Sequence, residues 1–192
     1  MSNVLVEYVI LVDEQDQALG QAEKMLAHQE AWCHRAFSVF VFRKVSNKQG
    51  DLKIEFLLQQ RHASKYHCGG LWTNTCCSHP RPSEDIIQAG QRRLKEEMGL
   101  DLPLIAVGAF HYVAAFENGL TENEYDHVLL GEWAGTKFQV DSLEIQDYRW
   151  MSIEAIEAQL KVQGEAYTPW FKPALQLAIK GVQKWISEEN AP

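Results

Sequence analysis

Cys77 stands two residues before His79 in the run Gly70-Leu71-Trp72-Thr73-Asn74-Thr75-Cys76-Cys77-Ser78-His79-Pro80. In an extended segment, residues two apart point to the same side, and Pro80 favours an extended backbone at His79. A thiol and an imidazole then face one cavity, while Cys76 faces away. A thiol held near an imidazole or a metal can have a lowered pKa and can exchange protons near neutral pH. Taken alone, the same residues are equally well read as buried small side chains and a loop histidine.

Two further sets of residues offer chemistry. His28, His34, His79, Glu122 and Glu124 are imidazoles and carboxylates of the kind that hold Zn, Mn or a similar divalent ion. Glu122 and Glu124 share a face in an extended chain, where two carboxylates repel unless a cation or proton lies between them. Lys24, Arg61, Lys65 and Arg93 are basic; Arg61 and Lys65 precede the Cys77 run and Arg93 follows it. Gathered in one place they suit a phosphate or diphosphate, with arginine supplying forked donors. Scattered, both sets are ordinary solvated surface.

The elements that must position these groups alternate between strand and helix. Strands are predicted over Glu7–Val12, Ala36–Phe42, Lys53–Gln60, His111–Ala115, Tyr125–Trp133 and Tyr148–Met151. The second and third form a hairpin turned by Asn47 to Asp51, and a loop covers Phe116 to Glu124. Helices are predicted over Ala22–His28, Asp85–Met98 and Ser152–Lys161, with a last one opened by Thr168-Pro169-Trp170 and running to Trp185. Ile86, Ile87, Gly90, Leu94 and Met98 give the second helix one apolar or small face, and Gly99 closes it. No repeat, low-complexity tract or linker interrupts the chain. The interleaving indicates one α/β-type domain over residues 1–192, with residues 1–23 as an N-terminal extension that adds an edge strand and helps close a lid.

Composition narrows the function. The 192-residue chain is 46% hydrophobic and carries a formal net charge of −8. That balance argues against general binding to nucleic acid or membrane surfaces, so an anionic ligand needs a local basic cluster or a metal. No apolar run is long enough to span a membrane, and Met1 to Val12 does not read as a secretory signal. A cytoplasmic, reduced protein is expected, its four cysteines, Cys33, Cys68, Cys76 and Cys77, unpaired.

The helix and its approach resemble a Nudix box, G-x5-E-x7-R-E-U-x-E-E-x-G-U with U apolar. Glu84, Arg92, Leu94, Glu96, Glu97, Gly99 and Leu100 fall in register. Ser78 stands where the box has its first glycine, and Arg93 replaces the glutamate after the arginine. Together, His34-Arg35-Ala36-Phe37-Ser38, the Trp72 to Pro80 run, Gln91-Arg92-Arg93-Leu94, Glu122-Asn123-Glu124 and Tyr167-Thr168-Pro169-Trp170-Phe171 strongly resemble the type 1 isopentenyl-diphosphate isomerases. The resemblance runs from about Lys24 to the last helix.

This resemblance implies a Nudix-like α/β (α+β) fold, a mixed β-sheet sandwiched between helices. It also implies interconversion of isopentenyl and dimethylallyl diphosphate by protonation and deprotonation. Cys77 and Glu124 match the family's catalytic pair, Tyr112 an assisting tyrosine, and Trp170 the aromatic face that stabilises the developing cation. Trp72 is a further candidate for that apolar wall. His28, His34, His79, Glu122 and Glu124 match the ligands of one divalent ion, Zn²⁺ or Mn²⁺. Glu97 matches the carboxylate that sets Mg²⁺ beside the diphosphate, and Lys24, Arg61, Lys65 and Arg93 match the diphosphate contacts. The implied partner is a small diphosphate substrate, with no nucleic acid or membrane; a monomer is expected and a dimer left open. A Nudix hydrolase of nucleoside diphosphates and a non-catalytic binding module are the competing readings. The first requires the missing Arg-Glu pair, and the second leaves Cys77 and Glu124 dispensable.

Overall fold

A computed structural model describes residues 6–46 and 50–189. Its centre is a nine-stranded mixed sheet. In chain order the strands are β1 (Tyr8–Val12), β2 (Ala18–Glu23), β3 (His34–Ser46), β4 (Leu52–Arg61), β5 (Trp72–Thr73), β6 (Cys76–Ser78), β7 (Ile105–Ala115), β8 (Thr121–Glu132) and β9 (Ile145–Ser152). The helices are α1 (Lys24–Gln29), α2 (Ile86–Met98), α3 (Ile153–Val162) and α4 (Phe171–Glu189). Among the described residues no helix is long and apolar enough to cross a membrane.

β3 organises the sheet. Along one edge it pairs in parallel with β8, from His34 opposite Glu124 to Phe42 opposite Glu132. Along the other it meets three antiparallel partners in turn: β1 at His34, β6 at Phe37–Val39 and β4 from Val41 onward. β4 carries β9 on its far edge, β8 carries β7, and β1 carries β2, which forms the rim of the N-terminal extension.

Side chains alternate across the sheet, so each face builds its own core. Val39, Val41, Leu57 and Leu129 pack under Leu94 and Met98 of α2. Phe40, Phe42, Val128 and Leu130 pack under Phe171, Leu175, Ala178 and Val182 of α4. Full burial of each such large side chain is worth about 1.5–3 kcal/mol. α2 lies close to the sheet because Gly90 has no side chain; a Cβ there would sit 2.5 Å from Leu129 Cδ1. Asp85 caps the start of α2 by accepting from the amides of Ile87 and Gln88, and Gly99 ends it in the left-handed region at φ 65°.

The expected hairpin of β3 and β4 is present, in longer strands than the sequence indicated. Residues 47–49 of its turn lie outside the described residues, as do residues 1–5 of the extension. Three readings need correction. Glu122 and Glu124 belong to the body of β8, since the loop is confined to residues 116–120. Ala18–Glu23 is a strand, and the short helix starts only at Lys24. Pro169 precedes α4, which begins at Phe171.

Candidate active site

The site lies where β3 changes partner. Between Val39 and Val41 the strand leaves β6 for β4, and the buried Asn74-Thr75 pair fills the fork. Val39 O accepts from Thr75 N at 3.0 Å and from Asn74 Nδ2 at 3.2 Å. Thr75 Oγ1 accepts from Val41 N at 2.8 Å and donates to Leu57 O at 2.6 Å. Thr75→Val keeps the shape but leaves both backbone groups without this partner, which should cost about 1–3 kcal/mol. Urea denaturation measures that loss, and an unchanged midpoint would contradict the role given to this hydroxyl.

Pairing fixes which thiol faces the site. Cys77 is opposite Ser38 and Cys76 opposite Val39, and directly paired residues share a face. Cys76 therefore enters the core beneath α2. Cys77 opens into a cavity with His79, Arg61, Glu122, Glu124 and Trp170. On this face of β8 the inward positions run Glu122, Glu124, Asp126 and then Val128, Leu130, so carboxylates give way to core within one strand.

The three histidines and two glutamates meet there. One donor atom from each of His28, His34, His79, Glu122 and Glu124 lies within 4.8 Å of every other. His28 Nδ1 is 2.6 Å from Lys24 O and His34 Nδ1 is 2.8 Å from Trp32 O. A carbonyl only accepts, so each Nδ1 carries a hydrogen, and in a neutral ring Nε2 turns its lone pair to the centre. His28 Nε2 and Glu122 Oε2 are 3.3 Å apart but not aligned for a hydrogen bond. Both atoms, with His34 Nε2, are buried and lack a hydrogen-bond partner. Converging, orphaned imidazole nitrogens and a carboxylate oxygen fit a divalent cation.

The electrostatic surroundings of the cluster set how its groups hold protons. Burial depresses the His79 pKa to about 4. Burial also pushes Glu122 and Glu124 upward, but the imidazoles outweigh it and hold both carboxylates below their ordinary value. His28 goes the other way: burial opposes its charge, yet Glu122 and the Lys24 carbonyl lift its pKa above 6.5. Below that raised value an incoming cation must displace a proton from His28. Affinity for Zn²⁺ should therefore rise about tenfold per pH unit from pH 5 to 6.5 and flatten above the His28 pKa. Calorimetric titration in buffers of different ionisation enthalpy detects the released proton, and a flat profile over that range would contradict the assignment.

The four basic residues also converge. Lys24, Arg61, Lys65 and Arg93 line the same cavity together with Glu97. Arg93 Nη2 donates to Glu97 and also approaches Glu144 Oε1 at 3.7 Å. Glu144, a residue the sequence did not single out, pairs with Lys65 as well. Lys24 is held by Glu7 at 2.7 Å. Arg61 Nη1 points at Cys77 Sγ from 3.6 Å.

Burial pushes the pKa of the Cys77 thiol up to about 12, despite the opposing pull of Arg61, a direction that favours the protonated thiol. Glu124, in contrast, is held well below the usual carboxylate range by the imidazoles of His34 and His79, and Tyr112 donates its hydroxyl to Glu124 Oε2 at 2.5 Å. Trp170 is 3% exposed. Its ring lies 6.0 Å from that of Tyr112, with the Arg61 guanidinium 5.5 Å above it. Trp72 is not part of this wall; it lies under the Arg149 guanidinium, 3.7 Å from its ring centre.

His67 is a second residue that sequence reasoning missed. It is buried in the segment joining β4 to β5, and its Nε2 lies 2.6 Å from Glu122 Oε1. The sequence held no usable signal, since neither spacing nor periodicity ties His67 to β8.

Comparison with known proteins gives the family. Residues 32–171 match the NUDIX domain. An isopentenyl-diphosphate Delta-isomerase of Photobacterium profundum is 47% identical over 178 residues, covering 92% of this chain and 96% of the relative. A Burkholderia multivorans protein of the same name is 44% identical over 180 residues, covering 93% and 97%. Among solved structures, a Deinococcus radiodurans protein superposes with a TM-score of 0.67 at 17% identity, over 90% of this chain and 99% of the other. A Caenorhabditis elegans Ap4A hydrolase complex does so at 0.54 and 22% identity, over 78% and 98%. These two likenesses concern the fold alone.

Proposed function

The chain belongs to the isopentenyl-diphosphate Delta-isomerases within the Nudix family, and from that premise we propose that it interconverts isopentenyl and dimethylallyl diphosphate. The observation that carries this reading is that one cavity is lined by the Cys77 thiol, the Glu124 carboxylate and the four basic residues Lys24, Arg61, Lys65 and Arg93. The reaction moves a double bond. A proton is added to the terminal carbon of an unactivated alkene, positive charge develops on the neighbouring tertiary carbon, and a proton leaves the carbon beyond it. No atom is gained or lost apart from the exchanged protons.

Cys77 holds the proton to be delivered, because a buried thiol remains S–H at neutral pH. Glu124 accepts the departing proton, with Tyr112 fixing one of its oxygens. Trp170 presents its π face to the developing cation, and its burial keeps water from quenching it. Lys24, Arg61, Lys65 and Arg93 grip the diphosphate, whose binding energy positions the reacting carbons. His28, His34, His79, Glu122 and Glu124 would hold Zn²⁺ or Mn²⁺, and Glu97 would hold Mg²⁺ beside the diphosphate. When bound, such cations supply positive charge that orients the carboxylates and neutralises the diphosphate.

Arg93 separates this reading from hydrolysis. It occupies the position at which the Nudix box has a glutamate, and it adds a cation to the cavity where that box supplies a carboxylate. The test is phosphorus NMR of the metal-supplemented protein with isopentenyl diphosphate and, separately, with Ap4A. Isomerisation predicts an intact diphosphate in the first and no cleavage of the second. Phosphate released from the first, or cleavage of the second into two nucleotides, would favour the hydrolase.

A further inference from the structure

We infer that His67 is a positioning residue for Glu122, tying down one carboxylate oxygen so that the other is presented to the cation cluster. The two oxygens are treated differently. Oε1 lies 2.6 Å from His67 Nε2, a short charge-assisted contact. Oε2 faces His28 Nε2 across 3.3 Å, without a hydrogen-bond partner. An untethered carboxylate could rotate either oxygen inward or turn both away.

The tether is itself held rigidly. The His67 ring stacks on Phe116, centroids 5.2 Å apart and planes 7° from parallel. It meets Trp170 edge-on at 6.0 Å. The His67 carbonyl accepts from Arg61 Nη2 at 3.3 Å. The backbone around it is equally confined, since a Cβ on Gly69 would lie 2.6 Å from the Ala63 carbonyl oxygen. One residue thus links Glu122, the indole wall and the arginine that points at Cys77. His67 is not among the five converging donors, and its assigned place is as a support of the cluster through Glu122.

The inference rests on the cation reading of the cluster, and the test separates the two. Metal-stripped wild type, H67F and H67Q are titrated with Zn²⁺ and with Mn²⁺ by calorimetry, and thermal melting of the stripped proteins checks folding. H67F keeps a ring against Phe116 but has no donor; H67Q keeps an N–H near the Nε2 position. H67F should bind the ion about 10–100-fold more weakly than wild type, and H67Q should stay within about threefold. If H67F does not fold, H67L takes its place. Equal affinity in wild type and H67F (or H67L) would overturn the inference. Equal loss in H67F and H67Q would overturn it too, showing His67 to be a ligand itself. If the wild type takes up neither ion, the cation reading fails and the inference with it.

Discussion

Cys77→Ala is expected to lower turnover of isopentenyl diphosphate by about 10³-fold or more, while Cys76→Ala leaves it within about twofold. The contrast follows from the register of β6 on β3, which sends adjacent thiols to opposite faces. Cys77 enters the cavity and Cys76 the core beneath α2. Removing Cys77 removes the only proton donor assigned to the alkene. Removing Cys76 deletes one small buried side chain, with a stability cost of about 1 kcal/mol. Steady-state assays of both variants, with folding checked by circular dichroism, make the measurement. Comparable losses in two well-folded variants would contradict the register argument.

Glu124→Gln should be as severe, for a different reason. The substitution preserves size and lets Tyr112 keep a partner, but an amide cannot accept the departing proton. It also weakens a cation donor, so Glu122→Gln is the control. Both variants should need more metal, and only Glu124→Gln should stay about 10³-fold slow once saturated. Recovery of Glu124→Gln at high Zn²⁺ or Mn²⁺ to within tenfold of wild type would reduce Glu124 to a ligand.

How much of this was legible in the chain depended on pattern. The β3–β4 hairpin and α2 show in the sequence because Ala36–Phe42 is a run of strand formers and Ile86, Gly90, Leu94 and Met98 recur at helical spacing. β8 was read four residues short because Glu122, Glu124 and Asp126 occupy inward positions that are apolar in an ordinary strand. β2 was missed because Ala18–Glu23 is a largely exposed rim strand without alternation. Most site residues followed from the ordered motifs. His67 and Glu144 did not: each lies in a segment outside those motifs, and only the three-dimensional path brings them to Glu122 and Lys65. Burial of Cys77, which pushes its thiol pKa up against the pull of Arg61, was not legible either, because it depends on how the cavity closes around the side chain.

On the proposed reading, Arg93 is the substitution that sets this helix apart from a hydrolytic Nudix helix. On α2 it faces the cavity beside Glu97, within reach of both Glu96 and Glu97. A Nudix helix with glutamate at this point concentrates negative charge suited to cations. With arginine there, the same helix offers a positive charge, which the proposed function assigns to the diphosphate.

The central claim, proton delivery and removal across an intact diphosphate, is tested most directly by proton and deuterium NMR of isopentenyl diphosphate with the metal-supplemented protein in D₂O. The account predicts dimethylallyl diphosphate carrying deuterium in a methyl group, with no free phosphate. Unchanged substrate from folded, metal-loaded protein, or product formed without deuterium, would contradict it.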